Sequence, residues 1–225
     1  MFLVSGYLCY SGIVEDNNDV CDVCFWARQT RNPFSLSESK AKNLFELIHC
    51  DIWGPYRVSS LCGSHYFLTI VDDYSRSVWV YLMKEKSETE KCLKIFVSLV
   101  NTQFGKEVKI IRSDNGLEFK SKPIREFYEE RGIIHQTSCA DTPQQNGRVE
   151  RKHRNLLEVA RALRFHANLP LKFWGECVRT AAYLINRTPS KLLSGKTPYE
   201  LVYKNKPNYD LIKVFGCLSF GQIRS

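Results

Sequence analysis

The chain has 225 residues, 44% hydrophobic and 25% charged, with no low-complexity tract or internal repeat; this composition is globular and suits one α/β core with a small appendage. Its net charge of +8 and pI of about 9.0 favour an acidic partner. Nine scattered cysteines, an odd number with several in apolar segments, point to a reduced intracellular protein rather than a disulfide scaffold. No apolar run approaches the ~20 residues of a membrane span, and the first basic residue is Arg28, which argues against a signal peptide.

Residues 1–20 show no clear period, and the serine-rich link SLSESK marks the boundary of the main domain. FELIHCDIW then reads as a strand ending at Gly54-Pro55. HYFLTIVDDYS and SVWVYLMK read as a hairpin with a tight polar turn around Tyr74–Arg76. SETEKCLKIFVSLVNTQFG is an amphipathic helix, with Ser87 as N-cap, Glu90 three residues on and Gly105 at its end. VKIIRSD is a short strand, PIREFYEERG a helix closed by Gly132, and IIHQTS a further strand. A loop, CADTPQQNG, leads into a helix over about 147–166 whose apolar face is Val149, Leu156, Ala160 and Leu163. A second helix starts after Pro170 and stops before Thr188-Pro189, and the tail KPNYDLIKVFGCLSF reads as a loop and a final strand. This order predicts an α/β fold, a mixed sheet flanked by helices.

Three carboxylates stand at the places where such a sheet usually carries function. Asp51 and Asp114 end apolar runs, and Glu150 opens a helix, with 35 residues separating it from Asp114. Converging, they would hold hard divalent cations, which take oxygen ligands; a pair of such ions can activate an attacking oxygen and neutralise a leaving one in phosphoryl transfer. Asp72 and Asp73 adjoin the hairpin turn and read as a turn with an Asp73–Arg76 ion pair. Glu118 reads as structural, and Trp53, Trp79 and Trp174 as core. Residues 144–187 carry nine Lys/Arg against three Asp/Glu, whereas residues 1–40 carry three against five. The phosphate-binding face is therefore placed on the long helix.

HCDIWGP, FLTIVDDYSR, IIRSDNGLEF, TPQQNGRVERKHR, ARALRFHANLPLKFWGE, AAYLINRTPS and KTPYELVY occur in this order. Together they resemble the integrase region of a Copia-type (Ty1/copia) retrotransposon polyprotein, from about Cys21 to Phe220. The resemblance implies an RNase H-like fold with a five-stranded sheet, DNA 3′-end processing and strand transfer, and a site in which Asp51, Asp114 and Glu150 are both catalytic and metal-binding. It further implies Mg²⁺ or Mn²⁺, two ions, as cofactor, DNA (element ends and target) as partner, a homo-oligomer, and a nuclear location without membrane attachment. The loop residues Gln144, Gln145 and Asn146 and the helix residues Arg148, Arg151, Lys152 and Arg154 are the expected DNA contacts.

Cys21 and Cys24 have the spacing of a zinc half-site, but the family's upstream histidine pair has no counterpart before Cys24, so zinc is not expected. The implied organisation is a truncated zinc-binding remnant at 1–39, an integrase catalytic domain at 40–205 and the start of a truncated C-terminal region at 206–225. Two rival readings remain: a catalytically inactive relic that binds nucleic acid non-specifically, and an RNase H-like nuclease acting on RNA–DNA hybrids.

Overall fold

A computed structural model of the chain describes residues 41–137 and 147–217. Strands β1 (Leu47–Trp53), β2 (Tyr66–Asp72) and β3 (Val78–Met83) form an antiparallel meander. Helix α1 (Thr89–Phe104), β4 (Ile110–Ser113), α2 (Lys122–Glu130) and β5 (Ile134–Thr137) follow, with β4 parallel to β1 and β5 parallel to β4. Helices α3 (Gly147–His166), α4 (Trp174–Arg187) and α5 (Pro198–Tyr203) come last. The sheet order is β3-β2-β1-β4-β5, so β1 is central.

Alternation along β1 divides the molecule into two cores. Ile48 and Cys50 face a core built with Leu93, Phe96 and Val100 of α1 and Ile124 and Phe127 of α2. The opposite face, with Phe67, Val71 and Val78, is covered by Val149, Leu156 and Ala160 of α3 and by Trp174, Cys177, Val178 and Ala181 of α4. Both covering helices carry their apolar residues three, four and seven apart, which makes one continuous stripe on each. The tryptophans are core as the sequence suggested: Trp79 packs against Phe45 and Phe96, Trp53 stacks on Phe67, and buried Trp174 donates its Nε1–H to the Val58 carbonyl at 2.9 Å.

Element ends follow local chemistry. Gly54 has φ +130, and a Cβ there would come within 2.7 Å of the His65 carbonyl, so only glycine lets β1 leave the sheet at this point. Gly105 closes α1 in the left-handed region, its N–H donating to the Asn101 carbonyl. The α1 cap differs from the sequence expectation. Lys86–Glu88 form a 3-10 turn, Glu88 is the N-cap, and the Ser87 hydroxyl donates to Glu85 instead. Asp51 does not end β1, which runs on through Ile52 and Trp53 because those residues pair with Leu68 and Phe67. The tail forms no strand between 206 and 217, the end of the described residues. Among the described residues, no helix is long and apolar enough to cross a membrane.

Candidate metal and nucleic-acid site

Asp51 lies on the sheet face that packs against α3. Its Oδ1 accepts the Ile52 N–H at 2.9 Å, and its Oδ2 lies 3.1 Å from His153 Nδ1. The other ring nitrogen, Nε2, is 2.7 Å from the hydroxyl of Thr69, the cross-strand partner of Asp51 on β2. With Nδ1–H donating to the carboxylate, Nε2 accepts from Thr69, and the ring stands edge-on to Phe67. One helix residue thus fixes the rotamer of a strand carboxylate.

Asp114 is the first residue past β4. The parallel ladder pairs His49 with Arg112 and ends there, and two residues further along each chain Asp51 and Asp114 come close enough for the Asp51 charge to act on the Asp114 carboxyl. Asp114 Oδ1 accepts the Gly116 N–H at 3.0 Å. Burial, helped by the negative charges of Asp51 and Glu118, still raises its carboxyl above the ordinary carboxylate range. Glu118 in turn pairs with Lys86 at 3.0 Å, the structural part the sequence assigned to it. Two half-buried acids that repel each other, with oxygen donors and a polar surround, fit a hard cation.

Glu150 is exposed in the first turn of α3, one turn before His153. Among the described residues, no group of three His, Cys, Asp or Glu side chains is gathered closely enough to hold a metal ion. The structure therefore brings together Asp51 and Asp114, and leaves Glu150 exposed in the first turn of α3, outside any such group.

The expected DNA contacts divide by orientation. Arg151 and Arg154 are exposed on α3. Lys152 is half-buried, and burial together with Arg76 pushes its ammonium down to about 8. Arg148 turns inward and pairs with Asp73. Gln144, Gln145, Asn146, Cys21 and Cys24 lie outside the described residues.

Asp73 is more than a turn residue. It pairs with Arg76 at 3.2 Å as expected, but it is wholly buried and also accepts from Ala41 N–H at 2.8 Å, from His49 Nε2 at 3.0 Å and from Arg148. Burial alone would raise its pKa; the donors from His49, Ala41 and Arg148 and the charge of Arg76 outweigh it and hold the carboxyl well below the usual range. The turn itself is made by Asp72, which accepts from Ser75 N–H and Oγ–H and from Phe45 N–H. Sequence reasoning did not assign His153 a role. Its spacing from Val149 and Leu156 on the apolar face was the available signal that it points at the sheet.

The sheet order, the parallel β1–β4 pair with Asp51 on β1 and Asp114 just past β4, and the covering helices define an RNase H-like core. The fold resembles the HTLV-2 integrase catalytic core domain in complex with magnesium (TM-score 0.52, 22% identity, 70% of this chain and 95% of that one). It also resembles the catalytic core domain of BIV integrase (TM-score 0.53, 23% identity, 71% and 94%). Residues 43–143 match the integrase core domain family. The chain is 40% identical over 204 residues to the retrovirus-related Pol polyprotein from transposon TNT 1-94 of Nicotiana tabacum, covering 90% of this chain and 15% of that protein. It is 36% identical to the corresponding polyprotein from transposon RE2 of Arabidopsis thaliana, covering 91% and 14%. The chain belongs to the integrase core family of Ty1/copia-type transposon Pol polyproteins, and it spans about one seventh of the length of these curated relatives.

Proposed function

We propose that this chain is a retrotransposon integrase core that processes DNA 3′ ends and transfers them to target DNA with divalent cations held by Asp51, Asp114 and Glu150. The observation that carries this reading is the approach of Asp51 on β1 to Asp114 just past β4, close enough that burial and the charges of Asp51 and Glu118 raise the Asp114 carboxyl. Phosphoryl transfer asks a protein mainly for positioning and charge stabilisation. Mg²⁺ or Mn²⁺, as two ions, would supply activation of the attacking oxygen and stabilisation of the leaving one. The chain's own part is to hold the carboxylates: His153 and the Ile52 N–H orient Asp51, and the Gly116 N–H orients Asp114. Arg151, Lys152 and Arg154, with the 144–146 loop, receive the DNA phosphates beside them. DNA ends and target DNA are the partners, a homo-oligomer joins two ends, and the site of action is nuclear.

The test is strand transfer by the purified chain on duplex ends with Mg²⁺ or Mn²⁺. Asp51→Asn, Asp114→Asn and Glu150→Gln should each lower the rate by more than the roughly 100-fold that loss of an outer-shell partner costs. Unchanged rates in these variants would remove the assignment. The exposure of Glu150 favours a second reading, a core that binds nucleic acid non-specifically without turnover. Steeply salt-dependent binding with no divalent-dependent cleavage would select it.

A further inference from the structure

We propose that Asp73 is a positioning residue for Glu150, acting through Arg148. This rests on the reading of Glu150 as a metal ligand. The Asp73 carboxylate is wholly buried at the β2–β3 turn, and its Oδ1 accepts from three side chains that come from three places: His49 on β1, Arg76 in the turn and Arg148 on α3. Its Oδ2 accepts the Ala41 N–H at 2.8 Å. Burial lowers the pKa of His49, so the ring is neutral and donates through Nε2–H. A buried carboxylate so fully supplied with donors has one geometry, and it imposes that geometry on each donor.

Arg148 is the donor that matters for the site. It lies in the first turn of α3, two residues before Glu150. Five residues further along, His153 reaches Asp51 and Thr69. Helix α3 is therefore tied to the sheet on both sides of Glu150, at Asp73 through Arg148 and at Asp51 through His153. Between two fixed points less than two helical turns apart, the direction of the intervening residue is fixed as well. An exposed carboxylate at a helix end would otherwise sample many orientations, and a metal ion would have to arrest them on binding. The Asp73–Arg148 pair fixes beforehand the helix turn that carries it, which leaves only the side-chain rotamer for the metal to arrest. Arg148 thus serves metal binding from inside the fold, whereas Arg151 and Arg154 are exposed to solvent.

The experiment compares Asp73→Asn, Arg148→Met, Arg148→Lys and Arg76→Met in the full chain. Two quantities are read: amide hydrogen exchange over residues 147–153 without metal, and the Mg²⁺ concentration giving half-maximal strand transfer, with KM for DNA measured alongside. Asp73→Asn and Arg148→Met should each speed exchange in this segment, and each should raise the Mg²⁺ requirement by about tenfold or more while KM for DNA changes by less than about threefold. Arg148→Lys, which keeps a cation for Asp73, should recover most of the Mg²⁺ affinity. Arg76→Met removes a partner of the same carboxylate that comes from the turn; its charge acts on Lys152, but it ties no α3 residue to the sheet, and both quantities should stay near wild type. If Asp73→Asn does not fold, Arg148→Met carries the test. Unchanged exchange in Arg148→Met, an equal effect from Arg76→Met, or a raised KM for DNA at unaltered Mg²⁺ requirement overturns the proposal. A wild-type chain without divalent-dependent turnover defeats the integrase reading instead, and exchange alone then decides whether Asp73 orders the first turn of α3.

Discussion

Asp51 was legible in the sequence because a carboxylate inside an apolar run needs a reason, and Asp114 because it follows one. Asp73 was legible only as a turn residue. Its partners Arg76 and Ala41 lie 3 and 32 residues away, and Arg148 lies 75 away, so nothing local announces a buried hub. His135 on β5 shows the same dependence on neighbours. Its Nε2 meets the Ser113 hydroxyl at 2.9 Å, its ring lies against Tyr128, and burial, with Lys120, lowers its pKa below the ordinary 6.5. A histidine whose folded pKa is depressed lends stability that is present above the unfolded value and is lost as pH falls through the folded one. Urea unfolding should therefore show a lower midpoint at pH 5.5 than at pH 7.5. His135→Gln should shrink that difference, and an undiminished difference would refute the assignment.

At the scale of elements, helix α3 was placed correctly from its sequence, since the starting glycine and the Val149, Leu156, Ala160 spacing need no tertiary information. The cap of α1 was not, because Ser87 competes with a 3-10 turn that ends at Glu88. The reach of β1 to Trp53 was read correctly from the Gly54-Pro55 stop, and Ile52 and Trp53 find their partners on β2. Helix α3 is held by packing as well as by its two polar ties. Leu156 is fully buried between α4 and the sheet. Leu156→Ala should cost about 3 kcal/mol by equilibrium denaturation, through lost apolar transfer and the cavity left behind. A cost below about 1 kcal/mol would show that α3 does not belong to the cooperative core.

Over the whole molecule, charge and topology act together. The +8 balance is concentrated in the α3–α4 region, whose exposed face carries Arg151 and Arg154 while Arg148 is spent on Asp73. If the exposed pair meets phosphate, Arg151→Ala and Arg154→Ala should each reduce the slope of log K against log salt by about 1. Binding isotherms at several salt concentrations measure this, and slopes equal to wild type would move the DNA path elsewhere.

The sequence by itself determined the order of strands and helices and the family, and it singled out the two aspartates as candidates, because hydrophobic period, turn residues and motif order are local properties of the chain. Only the tertiary structure decided that β4 lies beside β1 and brings Asp114 near Asp51, that His153 orients one of them, and that Arg148 faces inward. Those outcomes depend on which distant segments share a buried, low-dielectric space. There a charge must find a partner, and no local pattern can name it.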